Sequence, residues 1–321
     1  MNALVRPVTA PLSSRLPAQA GDGAFRLFTW FFALLVPVLA VAMAATLAWN
    51  SRLSWEKFGP AFLWRTDWDP IAESFGAFPF IWGTLVSSFL ALAIAIPLGV
   101  GSAIFLSEMA PRRISDAATF LVELLAAIPS VILGLMGIFV LVPAVRAVEP
   151  FLVSTLGFLP FFRGTPYGIG MLSAGLILAL MVLPYITSIS RDVLLSVPGS
   201  LKEGALALGA TKWEMVRMVS LPFSRAGIMG AVFLALGRAL GETMAITMVI
   251  GNTPKVSLSL LDPAYSMAAV IANEFAEASS DMQSHTLIAI GLVLMLVTLL
   301  TNVAARFMLK HTGSGGGGKS G

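Results

Sequence analysis

The 321-residue chain contains no cysteine and only two histidines, His285 and His311. Without cysteine the protein has no disulfide framework, thiolate zinc site, iron–sulfur cluster or cysteine nucleophile. Two histidines are too few for a histidine-based metal site, so we expect neither a metal nor another cofactor. Charge is also scarce, because 12% of the residues are charged against about 25% in soluble proteins. This composition excludes an ordinary soluble enzyme, a disordered chain and a nucleic-acid-binding module.

Long apolar runs dominate the rest of the chain, since 57% of the residues are hydrophobic and the mean hydropathy is +0.88. A helix needs about 20 apolar residues to cross a bilayer. Six runs reach that length, at residues 25–49, 79–106, 117–145, 167–190, 226–250 and 286–309. Glu123 interrupts the third run, and we expect it to reach the interface or to pair with Arg112 or Arg113. Since backbone polar groups must be paired within lipid, the sequence predicts an all-α polytopic membrane protein with six transmembrane helices.

The predicted membrane domain covers residues 25–311, and the two ends of the chain differ from it in composition. Residues 1–24 are rich in Pro, Ser and Gly, which predicts a disordered tail. Residues 312–321 form a glycine-rich tail that also matches the phosphate-loop pattern G-x-x-x-x-G-K-S. That loop binds phosphates only between a strand and a helix, and here a membrane helix precedes it. The tail is therefore predicted to be flexible, and the chain is not expected to hydrolyse ATP.

Lysine and arginine are distributed unevenly between the two predicted sides of the membrane. Thirteen lie at the two ends and in the second-to-third and fourth-to-fifth loops, against six in the other loops. Because cytoplasmic loops carry an excess of these residues, both termini are predicted to be cytoplasmic. In the last external loop, residues 267–278 have the spacing of a short amphipathic helix.

The cytoplasmic loop at residues 191–225 is the least membrane-like stretch inside the predicted bundle. Ser200 is placed to cap a first short helix, with Glu203 three residues later. Thr211 is placed to cap a second helix, with Glu214 at its third position. The loop is therefore predicted to form a helix–turn–helix across the cytoplasmic mouth of the bundle.

The same loop resembles the EAA motif of ABC importer permeases. It contains Glu203-Gly204-Ala205, then three residues, Gly209, nine residues, and Val219-Ser220-Leu221-Pro222. Here Gly209 permits the turn and Pro222 is expected to end the unit. In that family the element is a coupling helix that docks into a groove of a cytoplasmic ATPase. The resemblance implies that Glu203, Gly204, Ala205, Leu208 and Gly209 couple the chain to such an ATPase.

Two charges lie about halfway along the fifth predicted span. Arg238 and Glu242 are four residues apart, so on a continuous helix both lie on one face and partly neutralise each other. Gly237 and Gly241 beside them allow another helix to approach closely. Charged residues inside a membrane either pair between helices or mark a pathway. The residues alone leave both readings open, an ion pair that holds the bundle or an oxyanion site built on the planar guanidinium.

The fifth span also resembles the PstC permease family of the phosphate-specific ABC importer. Residues 237–252 read G-R-A-L-G-E-T-M-A-I-T-M-V-I-G-N, and further matches lie at residues 105–111, 124–134 and 273–278. The similarity runs from about residue 80 to 310. It implies a type I ABC importer permease fold in the inner membrane, with Arg238, Glu242 and Thr243 on the phosphate pathway.

The resemblance also implies partners, namely a sister permease, two ATPase subunits, a periplasmic phosphate-binding protein and membrane lipid. Two alternatives remain, a permease for another oxyanion such as sulfate or molybdate, and a stand-alone secondary anion transporter. The EAA-like loop argues against the second, because such a protein has no ATPase to dock. No acid–base or nucleophile constellation supports an enzyme.

Overall fold

The computed structural model describes residues 20–313, which are mostly helical. The helices are α1 (Ala20–Asn50), α2 (Arg52–Phe58), α3 (Phe78–Ile104), α4 (Arg112–Ala127), α5 (Ser130–Met136), α6 (Val142–Leu156), α7 (Met171–Leu195), α8 (Gly199–Ala207), α9 (Lys212–Met215), α10 (Leu221–Leu240), α11 (Met244–Thr247), α12 (Met267–Glu274) and α13 (Asp281–Gly313). Two short strands, β1 (Trp68–Asp69) and β2 (Ser74–Phe75), pair antiparallel. The predicted tails at 1–24 and 312–321, with the phosphate-loop-like pattern, lie almost wholly outside the described residues.

Six helical stretches within residues 20–313 are long and apolar enough to cross a membrane. They are Phe25–Asn50, Phe78–Met109, Ser130–Leu156, Met171–Leu195, Lys212–Leu240 and Asp281–Ala304. The predicted all-α fold with six spans is confirmed, and four of the spans begin and end within five residues of their predicted positions. The described chain divides into two units, residues 20–46 and residues 47–313. Every element from α2 onward belongs to the second unit.

The third span lies further along the chain than predicted, because the apolar run at 117–145 covers part of α4, all of α5 and the start of α6. Ile128 is extended and Pro129 separates α4 from α5. Proline has no backbone N–H and disfavours helical geometry in the residue before it. The helix α4 is amphipathic and lies outside the span, and its Glu123 side chain is exposed. Of the two alternatives for Glu123, the pairing with Arg112 or Arg113 is absent, since no ion pair joins these described residues.

The fifth span begins earlier and ends earlier than the predicted residues 226–250. It runs from α9 through a π turn at Val216–Ser220 into α10, and it ends at Leu240. Pro222 does not end the predicted helix–turn–helix, because it occupies the first turn of α10. The π turn that precedes it is already irregular, so the missing N–H of proline costs no regular helical hydrogen bond there. At the other end Gly241 leaves the helical geometry, and the chain continues through three residues to α11.

The helices α3, α7 and α10 form the centre of the second unit. The pairs Gly175–Leu90 and Gly99–Ile186 are in close contact, so α3 and α7 run in the same direction. Gly227 meets Val193 near the other end of α7, and α10 runs antiparallel from there. This register brings the last turn of α10 to the middle of α7.

Behind this centre, the segment after α11 folds back along the start of α7. The amides of Gly170 and Leu172 donate to the carbonyls of Val249 and Leu260, and the amide of Met267 donates to Thr84 Oγ1 at 2.9 Å. These hydrogen bonds satisfy irregular backbone that could not face lipid. The predicted helix at 267–278 is confirmed as α12, eight residues long and ending at Glu274.

Candidate functional site

The break between α10 and α11 carries the charged residues of the fifth span. Arg238 is exposed in the last turn of α10, and its Cζ lies 4.5 Å from the centre of the Tyr185 ring. Glu242 and Thr243 follow the end of the helix, and Glu242 Oε1 accepts a hydrogen bond from the Ala245 amide at 3.4 Å. Because Tyr185 lies near the middle of α7, Arg238 lies near the middle of the bundle.

The expectation that Arg238 and Glu242 share one face of a continuous helix is wrong, because Gly241 ends α10 between them. No ion pair joins the two side chains. Within residues 20–313 the guanidinium stacks on Tyr185 and forms no hydrogen bond. Its N–H groups are therefore available to a ligand, since a stacked ring covers the face of the guanidinium and leaves its donor edge open.

Two polar residues of this region were not identified from the sequence. Tyr185 lies in α7, and Asn302 lies in α13 next to Gly237, where an added Cβ would be 3.9 Å from Asn302 Nδ2. Gly237 therefore allows α13 to approach, as the G-x-x-x-G spacing predicts, whereas Gly241 ends the helix. Asn302 could have been found from the sequence as a lone amide side chain in the apolar run of α13, since polar residues inside membranes are functional candidates.

The predicted helix–turn–helix is present as α8, a turn at Gly209 and α9; we call residues 199–215 the coupling element. Gly209 has a φ of +90°, which glycine adopts without the strain of a side chain. The predicted capping box is confirmed, because the Thr211 side chain accepts from the Glu214 amide and the Glu214 side chain accepts from the Thr211 amide. The predicted Ser200 cap is wrong, because Pro198 occupies the N-cap position and no side chain caps α8.

The residues expected to face an ATPase lie in the second half of α8 and in the turn that follows it. Glu203, Gly204, Leu208 and Gly209 are exposed and Ala205 is half-buried. The Leu208 side chain is 91% exposed. A groove of about 530 Å³ lies between α8 and the start of the fifth span. It is lined by Leu201, Ala205, Leu208, Gly209, Ala210, Glu214, Met215, Met218 and Val219.

Beside this groove is a buried polar junction that sequence reasoning missed. Lys202 Nζ of α8 donates to Glu108 Oε1 at 2.7 Å and to the Leu194 carbonyl at 3.2 Å. Ser220 Oγ donates to the same Glu108 oxygen at 3.0 Å. We call Glu108, Lys202 and Ser220 the polar junction. Glu108 lies 94 residues before Lys202, so no local pattern could have paired them.

A third set of polar side chains joins the loops at the opposite end of the bundle by hydrogen bonds. Trp68 Nε1 of β1 donates to Glu274 Oε2 at 3.0 Å, and Asn273 Nδ2 donates to the Tyr265 hydroxyl at 3.0 Å. Burial raises the pKa of Tyr265 to about 12. Burial also raises the pKa of Glu274, although the Trp68 hydrogen bond acts in the opposite direction. The Glu274 carboxyl is thus held in an environment that disfavours its charge.

The raised pKa of Glu274 predicts that this end of the bundle becomes less stable as the pH rises. Below the ordinary value of 4.5 the carboxyl is protonated in the folded and unfolded states, and its stabilisation is fully present. As the pH rises through the raised pKa, the buried group must ionise and this stabilisation is lost. We expect Glu274 to lower the melting temperature of the purified protein over a window that begins near pH 4.5, and Glu274→Gln to make that fall smaller.

Glu73→Gln is the matched control, because Glu73 forms an exposed ion pair with Lys57 nearby. We expect the control to keep the pH profile of the unchanged protein. An identical profile for Glu274→Gln and the unchanged protein would contradict the prediction.

Comparisons with known proteins agree on one class of membrane protein. Residues 95–313 match the family described as binding-protein-dependent transport system inner membrane component. The chain is 47% identical over 293 residues to the phosphate transport system permease protein PstC of Mesorhizobium japonicum, covering 90% of each chain. It is 46% identical over 293 residues to PstC of Haemophilus influenzae, covering 90% of this chain and 93% of that one.

Solved structures add a likeness of fold. The chain is similar to a chain of a bacterial alginate ABC transporter in complex with an alginate pentasaccharide-bound periplasmic protein, with a TM-score of 0.60 and 16% identity. That match covers 89% of this chain and 96% of the other. A second alginate transporter structure has a TM-score of 0.57. The predicted ABC importer permease fold is confirmed.

Proposed function

Because the chain belongs to the family of binding-protein-dependent transport system inner membrane components, we propose that it is the permease subunit of an ATP-driven importer of inorganic phosphate. The observation that carries this function is the 47% identity to a phosphate permease over 90% of both chains. The chain is a multi-pass membrane protein and a transport component, and ATP hydrolysis belongs to another subunit.

An ABC permease works with an ATPase and a binding protein. For this chain we infer a sister permease, two ATPase subunits and a periplasmic phosphate-binding protein. The exposed turn from Glu203 to Gly209 supports the ATPase contact, since Leu208 protrudes where a partner groove would bury it. With six spans, both termini lie on the same side as the coupling element, which is the cytoplasmic side.

Arg238 is the residue best suited to meet phosphate in the pathway. Its guanidinium is held against Tyr185 at 4.5 Å, and the edge left open carries donors that match the oxygens of a phosphate group. Glu242 and Thr243 lie in the three residues after α10. The carboxylate of Glu242 would limit how tightly the anion is held, which favours release over trapping.

The function is tested by ATP-driven phosphate uptake into proteoliposomes that carry the complete assembly. We expect uptake that requires ATP and the binding protein and that a tenfold excess of sulfate or molybdate leaves unchanged. Inhibition by sulfate or molybdate would favour the permease of another oxyanion. Uptake that persists without the ATPase subunits would favour a secondary transporter.

A further inference from the structure

The helix α8 has no buried face that could fix its orientation. None of its nine residues is buried, and a groove of about 530 Å³ separates it from the start of the fifth span. Short helices depend on the packing of an apolar face for most of their stability. The orientation of α8 must therefore depend on specific polar contacts.

Lys202 makes those contacts. Its side chain is 17% exposed and the Glu108 side chain is 5% exposed, in contrast to the exposed ion pair of Lys57 and Glu73 at the other end of the bundle. Exposed ion pairs contribute little to stability. A buried pair differs, because removal of one partner leaves the other charge without compensation. The ammonium of Lys202 thus fixes α8 to the bundle through Glu108.

The Glu108 carboxylate, which accepts from both Lys202 and Ser220, joins the coupling element to two different spans of the bundle. Glu108 lies in a π turn at Phe105–Met109 that ends the second span, and Ser220 lies in the π turn at Val216–Ser220 within the fifth. Because π turns recur at functional sites, two of them meeting at one carboxylate oxygen support a role beyond packing. The fifth span continues from Ser220 to Arg238, about 27 Å along the helix axis at 1.5 Å per residue.

We propose that the polar junction of Glu108, Lys202 and Ser220 is the rigid joint that transmits movement of the coupling element to α3 and α10. This inference rests on the proposed function. The three residues contact neither phosphate nor ATP and are positioning residues. Without the joint, α8 moves within the space of the groove, and α3 and α10 do not follow. ATP hydrolysis then continues while no phosphate is transported.

The decisive quantity is the number of phosphate ions transported per ATP hydrolysed, measured in the same proteoliposomes. We expect Lys202→Met to lower this ratio at least tenfold while ATP hydrolysis stays within about twofold of the unchanged assembly. Lys202→Arg, which keeps the charge, should retain at least half of the ratio. The exchange Glu108→Lys with Lys202→Glu should recover more of it than either change alone. Lys57→Met, at the exposed ion pair, is the matched control and should leave the ratio unchanged.

A second measurement is independent of transport and exploits the absence of cysteine from the chain. Spin labels are attached at Leu206→Cys, an exposed position of α8 outside the predicted ATPase contact, and at Leu98→Cys on the exposed face of α3. We expect one narrow distance distribution in the assembly and a broad one after Lys202→Met. Ser220→Ala removes one hydrogen bond and no charge, so it should assemble and should broaden the distribution to a smaller extent.

The outcomes separate this proposal from the proposed function. An unchanged ratio and an unchanged distance distribution in both Lys202→Met and Ser220→Ala would overturn the joint. A parallel loss of uptake and hydrolysis at an unchanged distance would also overturn it, since that is the result of a merely weakened fold. Failure of the unchanged assembly to transport phosphate would contradict the proposed function alone, and the distance measurement would still decide the joint.

Discussion

Replacement of Arg238 by glutamine is expected to lower phosphate uptake by about tenfold to a hundredfold, because a hydrogen bond to a charged group contributes about 1.5–3 kcal/mol. Glutamine keeps a polar side chain of similar reach but loses the charge and the planar set of donors. The change is made at an exposed side chain that forms no hydrogen bond within residues 20–313. We therefore expect the assembly to form in normal yield, measured by co-purification with the ATPase subunits.

The matched control is Arg52→Gln, because Arg52 stacks on Trp49 at 4.7 Å in the same manner but lies far along the chain from the fifth span. Uptake should be unchanged in this variant. Tyr185→Leu should raise the KM for transport more than it lowers the maximal rate, since it frees the guanidinium without removing it. Full uptake by Arg238→Gln would show that Arg238 has a structural role and would remove it from the pathway.

Replacement of Gly83 by alanine is expected to destabilise the protein by about 3 kcal/mol or more, which is the upper range for overpacking. A Cβ at Gly83 would lie 2.2 Å from the carbonyl oxygen of Tyr265, so backbone must move. The shift would break the hydrogen bond between the Met267 amide and Thr84 Oγ1 and disturb the ring contact of Phe80 with Tyr265. We expect the melting temperature to fall by roughly 6–12 °C.

Gly101→Ala in the same helix is the control, because an added Cβ at Gly101 meets no atom within 4 Å. Alanine is favoured over glycine in a helix by about 1 kcal/mol, so this variant should melt at the same temperature or higher. Equal melting temperatures for the two variants would contradict the close approach of Tyr265 to α3.

Features encoded by neighbouring residues were predictable from the sequence. The six apolar runs and the capping box of Thr211 and Glu214 each lie within one stretch of chain, and each is present in the structure. A local error was the Ser200 cap, because Pro198 takes the capping position, and two further errors arose where hydropathy alone cannot place a boundary. The third run continues across Pro129, and the fifth continues across Gly241, although the helix ends at both points.

Contacts between distant parts of the chain could not be predicted from the sequence. Glu108 lies in one of the stretches that resemble the permease family, and Lys202 is one of the thirteen charges on the predicted cytoplasmic side. Their pairing depends on the end of α3 meeting α8, which a single sequence does not specify. The stacking of Arg238 on Tyr185 depends in the same way on the register of α10 against α7. The candidate residues were therefore predictable one by one, whereas their surroundings were not.

The end of α10 at Leu240 has a consequence for how the protein is made. In a newly inserted chain on its own, the exposed Arg238 guanidinium and the exposed, non-helical Gly241 would lie near the middle of the bilayer, where lipid offers no hydrogen bonds. The sister permease proposed above would remove that cost by covering this face. We therefore expect the lone subunit to be less stable in the membrane than the assembled pair, and the two permeases to accumulate only when they are made in balanced amounts.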